Sequence, residues 1–234
     1  MSSHHFVKEQ QEPAVFILDT EGLAFDIISP LLEWVPTVLV WQECLETVLS
    51  WGIKIDVILA TEAYQKENLQ LLEEQYPVKF LTAAPENPLD EGLQYLLATK
   101  HPAAHLVGVS HLRCMDLEEK LDLFDLTIMD AGWKYYPVKS GKFKKWFAES
   151  TIQLLGQEGM PVEISNENGK LMLPLVYLTQ LEVPEGITEI VGNGIFWVGE
   201  EVNSESWSEK FEGVKPKSKD LGFFIKKIVV SLDF

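Results

Sequence analysis

The chain has 234 residues, of which 46% are apolar, enough for one large or two small domains with a real core. Lys and Arg number 19 against 36 Asp and Glu, a formal net charge of −17. A surface this negative repels phosphate backbones and anionic lipid, which excludes a nucleic-acid binder or a polybasic membrane protein as partner classes.

The first half alternates between short apolar runs and helical spacing. Strands are expected at Ala14–Leu18, Thr37–Val40, Asp56–Leu59, Val78–Leu81 and Leu106–Val109. Helices are expected at Leu23–Trp34, Cys44–Trp51, Ala63–Gln75 and Pro88–Lys100. Gly52 stands where a helix ends in a left-handed residue, and Pro88 stands in a first turn, where its missing N–H costs nothing. Short, continuously apolar strands alternating with helices predict a parallel sheet covered on both faces.

The pattern changes near residue 124. Strand-like runs follow at Leu126–Met129, Trp133–Val138, Lys142–Phe147, Thr151–Leu155, Val162–Ser165, Leu171–Leu175, Glu189–Val191, Ile195–Val198 and Ile225–Leu232. Turn residues separate them, among them Asp130-Ala131-Gly132, Ser140-Gly141 and Pro184-Glu185-Gly186. Asn203–Asp220 is polar and reads as a loop. The expected fold class is an N-terminal parallel α/β domain, residues 1–123, followed by a C-terminal antiparallel β-sandwich, residues 124–234. Cys44 and Cys114 are too few for a disulfide framework or a cysteine zinc site. With a polar start and no apolar run near the roughly 20 residues of a membrane span, the expectation is a cytoplasmic protein.

Ligands gather beyond the carboxyl ends of the strands in an open parallel sheet. Those ends carry Gln42 and Glu43, Thr61 and Glu62, Asp90 at the start of a helix, and His111 and Arg113. Carboxylates there suit a magnesium–nucleotide site, because Mg²⁺ takes one or two carboxylates plus phosphate oxygens. Arg113 suits a bidentate phosphate or carboxylate contact. Each also has a plain alternative: Asp90 is favoured by the helix dipole alone, Arg113 by pairing with Asp116 or Glu118, and His111 by an ordinary surface hydrogen bond. No Walker A or dinucleotide fingerprint is present, since Ser140-Gly141-Lys142 lacks the upstream glycine and Gly192-Asn193-Gly194 is a turn signal.

Over about residues 14–175 the layout resembles the thiamine pyrophosphokinases (thiamine diphosphokinases). Residues 37–60 are similar to that family's first two blocks, with Gly52, Ile53 and Asp56 in place. Asp90 matches the Asp of a Thr-Asp pair that opens a helix, with Leu89 in the Thr position. Gly108 and Arg113 fall in register with a Gly-x-x-Gly-Gly-Arg-x-Asp-His block. The family's Asp-Gly is Gln42-Glu43 here, and its Gly-Asp-x-Asp-Ser is Ala60-Thr61-Glu62-Ala63-Tyr64. Leu173 stands where the family's sandwich has an aromatic residue near thiamine.

The resemblance implies diphosphoryl transfer from ATP, with Mg, to thiamine, giving thiamine diphosphate and AMP, in a homodimer. It implies Asp90 and Arg113 as catalytic residues, Gln42, Glu43, Thr61 and His111 around the nucleotide, and Glu62 and Asp90 as metal ligands. The substituted aspartates imply the alternative of a catalytically degenerate member that binds thiamine or another small molecule without phosphoryl transfer. A sugar- or nucleotide-binding protein unrelated to thiamine is a third reading. Trp133, Trp146 and Trp197 are expected in the sandwich core or at a dimer contact.

Overall fold

A computed structural model describes residues 12–202, which form two compact units. The first comprises the described residues up to Ser110 together with Lys120–Ala131, and the second comprises His111–Glu119 and the described residues from Gly132 onward. Residues 1–11, the Asn203–Asp220 stretch and the Ile225–Leu232 run expected as a strand lie outside the described residues.

In the first unit the strands are β1 (Ala14–Ile17), β2 (Val38–Trp41), β3 (Val57–Ala60), β4 (Lys79–Thr82), β5 (Ala103–Val107) and β6 (Asp125–Asp130). The helices are α1 (Phe25–Ile28), α2 (Leu45–Ser50), α3 (Glu62–Glu67), α4 (Leu71–Glu74) and α5 (Pro88–Ala98). The strands lie in the order β6-β5-β1-β2-β3-β4, and all five pairings are parallel. Every residue of β1, β2 and β3 is buried, as expected of strands covered on both faces. Helix α5 approaches β1 closely at Gly92, where an added Cβ would stand 2.2 Å from the Phe16 ring.

Two expected helices are broken, each for a local reason. Leu23–Trp34 becomes α1 and a 3-10 turn over Ser29–Leu32, because Pro30 has no N–H to continue the α ladder. Ala63–Gln75 becomes α3 and α4. Asn68 ends α3 at φ −125°, and its side-chain amide donates to the Tyr64 carbonyl at 2.8 Å. That side-chain bond competes with the helical ladder. Gly52 is left-handed at φ +70° just after α2, as expected.

Leu126–Met129 was expected among the antiparallel strands, and the structure corrects this. It lies in β6, parallel to β5 in the first unit, with Leu106 beside Ile128. An apolar run does not state its partner's direction, and the crossover before it holds 3-10 turns in place of a helix.

His101, 6% exposed, is held between two threonines below this sheet. The Thr99 hydroxyl donates to the Tyr95 carbonyl at 2.8 Å, so it accepts from His101 Nδ1 at 2.9 Å. The neutral ring then accepts at Nε2 from the Thr37 hydroxyl at 3.0 Å. Burial pushes the His101 pKa below its ordinary value of 6.5. The unfolded chain therefore binds the proton first, and His101 weakens the fold as pH falls below about 6.5. His101→Gln is expected to be less stable than the parent at about pH 7.5, yet to lose less on going to about pH 5 in urea unfolding. An equal loss in both proteins would refute this account.

The second unit is an antiparallel sandwich. One sheet runs β12 (Leu178–Val183), β9 (Ser150–Gly156), β14 (Phe196–Glu201), β7 (Trp133–Val138). The other runs β11 (Gly169–Pro174), β10 (Pro161–Asn166), β13 (Gly186–Gly192), β8 (Lys142–Phe147). Val138, Ile152, Leu154, Val162, Ile164, Ile190, Phe196 and Val198 fill the space between them. Strand β12 was not anticipated. Its buried positions are Thr179, Leu181 and Val183, and a polar Thr at the first of them hides the alternation. Trp197 is fully buried, whereas Trp146 is 57% exposed.

Candidate functional site

The order of the first unit's sheet defines where a ligand crevice belongs. From β1 the chain steps outward through β2, β3 and β4, then returns to place β5 on the other side of β1. The order reverses between β1 and β5, and the crevice of such a sheet opens beyond the carboxyl ends of those strands. The residues there are Leu18-Asp19-Thr20 after β1 and Gly108 after β5.

The two loops press together. Leu18 N–H donates to the Val107 carbonyl at 2.9 Å, and a Cβ at Gly108 would stand 2.2 Å from the Asp19 carbonyl oxygen. Gly108 also has φ +74°, so glycine is required for both conformation and space. Asp19 turns the chain by accepting from Glu21 N–H at 2.9 Å.

Cys44, 3% exposed, lies beside this crevice. Its pKa is pushed up to about 12, first by burial, then by the carboxylates of Asp19 and Glu43, against a hydrogen bond with Thr20. The thiol is therefore protonated and unreactive at neutral pH. The same fact reports the local field, since two carboxylates act on one buried point. Sequence reasoning missed Asp19, Thr20 and Cys44. The run Leu18-Asp19-Thr20 carried the signal, but only the sheet order shows that β1 borders the switch point.

The anticipated residues are engaged as follows. Gln42 Oε1 accepts from Thr61 N–H at 2.8 Å, tying the end of β2 to the end of β3. Thr61 caps α3, its hydroxyl accepting from Tyr64 N–H at 3.2 Å. Gln65 donates to the Ala60 carbonyl at 2.9 Å and to the Thr82 hydroxyl at 3.1 Å, extending the tie to β4. Glu43 is exposed. Glu62 is 74% exposed and pairs with Lys66 one turn along α3 at 3.6 Å. Asp90 pairs with Lys120 at 2.8 Å.

His111 and Arg113 belong to the second unit. Arg113 Nε donates to Asp116 at 3.0 Å, with both side chains largely exposed. His111 stacks on Tyr135 with ring centroids 5.6 Å apart, and the Tyr135 hydroxyl donates to Gln153 at 2.5 Å.

The donor set does not fit magnesium. Among the described residues no group of three or more His, Cys, Asp or Glu side chains stands in position to hold a metal ion. Glu62 and Asp90 each face a lysine. Asp19 and Glu43, the carboxylates that act on Cys44 beside the crevice, oppose the negative charge of an ATP phosphate chain.

No protein-family model matches the sequence, and no curated protein matches it. Solved structures do. The chain is similar to thiamine pyrophosphokinase from Bacillus subtilis, with a TM-score of 0.62 and 10% identity over 82% of this chain and 100% of that one. It is similar to thiamin pyrophosphokinase from Geobacillus thermodenitrificans at TM-score 0.58 and 11% identity, over 82% and 99% of the two chains. It is also similar to thiamin pyrophosphokinase from Candida albicans at TM-score 0.59 and 8% identity, over 83% and 90%. An α/β unit followed by an antiparallel sandwich, matched over nearly the whole length of these enzymes, gives this chain the fold of the thiamine pyrophosphokinases.

Proposed function

We propose that the chain is a non-transferring protein of the thiamine pyrophosphokinase fold, which binds thiamine or a similar small cation without moving a diphosphoryl group. The observation that carries this reading is the engagement of the carboxylates. Asp90 is paired with Lys120 and the exposed Glu62 lies 3.6 Å from Lys66, and among the described residues no three His, Cys, Asp or Glu side chains gather to hold a metal ion. Phosphoryl transfer rests on positioning and on neutralising phosphate charge, which metal ions mainly supply. The acidity that opposes ATP favours a cationic ring such as a thiazolium, and Asp19 and Glu43 supply it beside Cys44.

ATP and Mg remain what the fold would bring if the protein were an enzyme. Cys44 and Cys114, both buried and neither in a disulfide among the described residues, support a reducing, cytoplasmic setting. Exposed Trp146, Met172 and Ile187 on the second unit support a homodimer. None of the helices is long and apolar enough to cross a membrane among the described residues.

Incubation of the protein with thiamine, ATP and Mg²⁺ is expected to yield no AMP. Thiamine alone is expected to raise Tm, and Asp19→Asn with Glu43→Gln to abolish that rise, while Glu62→Ala leaves it unchanged. AMP with thiamine diphosphate would overturn the non-transferring reading and restore the divergent enzyme. Absence of any thiamine shift in Tm would overturn the ligand.

A further inference from the structure

One end of the sandwich interior is polar where the rest is apolar. Alternation along each strand fixes which side chains face inward. On β8, Lys145 lies between Phe143 and Phe147, which pack on the core. On β13, Thr188 stands directly across from Lys145, two residues before the buried Ile190. On β14, Glu200 follows the core residues Phe196 and Val198, and Lys134 of β7 stands directly across from it. Tyr136, next inward on β7, packs against the same core. Lys145, Thr188, Glu200, Lys134 and Tyr136 thus line one mouth between the two sheets.

The contacts are specific. Lys145 Nζ lies 2.5 and 2.7 Å from the two oxygens of Glu200 and 3.5 Å from the Tyr136 hydroxyl. It also sits 5.5 Å from the Phe147 ring centroid and 5.8 Å from that of Tyr136. Its side chain is 45% exposed, so small reagents reach it. Thr188 is fully buried and its hydroxyl has no hydrogen-bond partner among the described residues, so the cluster does not satisfy itself. Lys145 alone pairs closely with Glu200; the Lys134 ammonium acts on both through space and makes no hydrogen bond or close ion pair among the described residues.

We propose that this mouth is a carbonyl-binding site for a small 2-oxo acid, in which Lys145 forms an imine with the carbonyl carbon and Lys134 pairs with the carboxylate. The residues divide the chemistry between them. The Lys145 ammonium passes a proton to the Glu200 carboxylate, and the freed nitrogen lone pair attacks the carbonyl carbon. The added nitrogen passes one proton to the carbonyl-derived oxygen, which takes a second from Glu200 and leaves as water as the C=N bond closes. The sum is ammonium plus carbonyl giving protonated imine plus water, with the Glu200 carboxylate regenerated and no oxidant or reductant required. Burial supports this division, because it pushes Lys145 below its ordinary value, with Lys134 adding to it, and pushes Glu200 above its own. Desolvation beside a second cation is a general means of making a lysine nucleophilic. Lys170 also faces a carboxylate, Glu163, but it is largely exposed, and there the hydrogen bond and charge push its pKa up.

The test uses the intact protein with glyoxylate and cyanoborohydride near neutral pH, and peptide mass spectrometry of every lysine. Lys145 is expected to be carboxymethylated at least about tenfold faster than Lys66 or Lys170. Propanal, which has no carboxylate, is expected to show a smaller preference for Lys145 than glyoxylate does. Lys134→Ala is expected to slow both reagents at Lys145, because the second cation no longer depresses its pKa, and to slow glyoxylate about fivefold or more beyond propanal, because the carboxylate loses its partner. Labelling of Lys145 no faster than Lys66 would overturn the site and reduce the cluster to a structural ion pair. Equal preference for glyoxylate and propanal in the parent protein would overturn the oxo-acid assignment without need of any variant.

Discussion

Gly108→Ala is expected to destabilise the first unit by about 4 kcal/mol or more, among the largest single-residue effects in the chain. Two costs combine. The φ of +74° puts an L side chain in the left-handed region, which costs about 1–2 kcal/mol. The larger part is collision. The new Cβ would meet the oxygen, nitrogen and carbonyl carbon of Asp19 at 2.2, 2.5 and 2.6 Å. These are backbone atoms of a loop tied to β5 by the Leu18 N–H to Val107 bond, so no rotamer change relieves them. Gly52→Ala supplies the control, because Gly52 has φ +70° with nothing within 4 Å of an added Cβ. It should cost only about 1–2 kcal/mol. Urea unfolding of both variants separates the terms, and equal losses would show that the β1 and β5 loops do not press together as described.

Trp197→Ala is expected to cost about 3–5 kcal/mol, through lost burial and the cavity left behind. The residue is fully buried at the centre of its sheet, flanked by Pro137 of β7 and Leu155 of β9. Among the described residues its indole N–H has no hydrogen-bond partner, an unmet donor that detracts from stability. Trp197→Phe removes that donor together with part of the ring, and the two effects oppose each other. Its cost is therefore expected to be less than about 1.5 kcal/mol. Chemical denaturation gives both numbers. A phenylalanine variant as damaged as the alanine variant would show that the indole N–H is satisfied in solution.

Much of the architecture was written locally. The runs Ala14–Ile17 and Val57–Ala60 are apolar at every position, the pattern of strands buried on both faces. Gly52 and Pro88 mark helix ends by backbone chemistry that needs no partner. Strands β7 and β8 fall on the anticipated residues because turns bound them on both sides. The failures were also physical. Pro30 and Asn68 broke helices whose apolar spacing continued through them. Strand β12 concealed its alternation by burying Thr179.

The candidate site was less legible, because side-chain pairing is not periodic. Glu62 and Asp90 read equally well as metal ligands or as surface acids, and Lys66 and Lys120 decide what they face. Gln42 and Thr61 read as ligand contacts, yet their polar groups brace neighbouring strand ends. Arg113 adopted the pairing with Asp116 that its spacing allowed.

The sequence by itself determined most of the strands and the two-part order, since burial period and turn residues act within a few residues of themselves. It also determined the net charge of −17. Only the tertiary structure decided which strand ends meet and where those charges stand. Asp19 is distant in sequence from Gly108, and Lys145 from Glu200, and each pair is joined only when strands far apart in the chain are brought side by side. A carboxylate's chemistry depends on its neighbours within a few ångströms, and chain connectivity alone does not specify them.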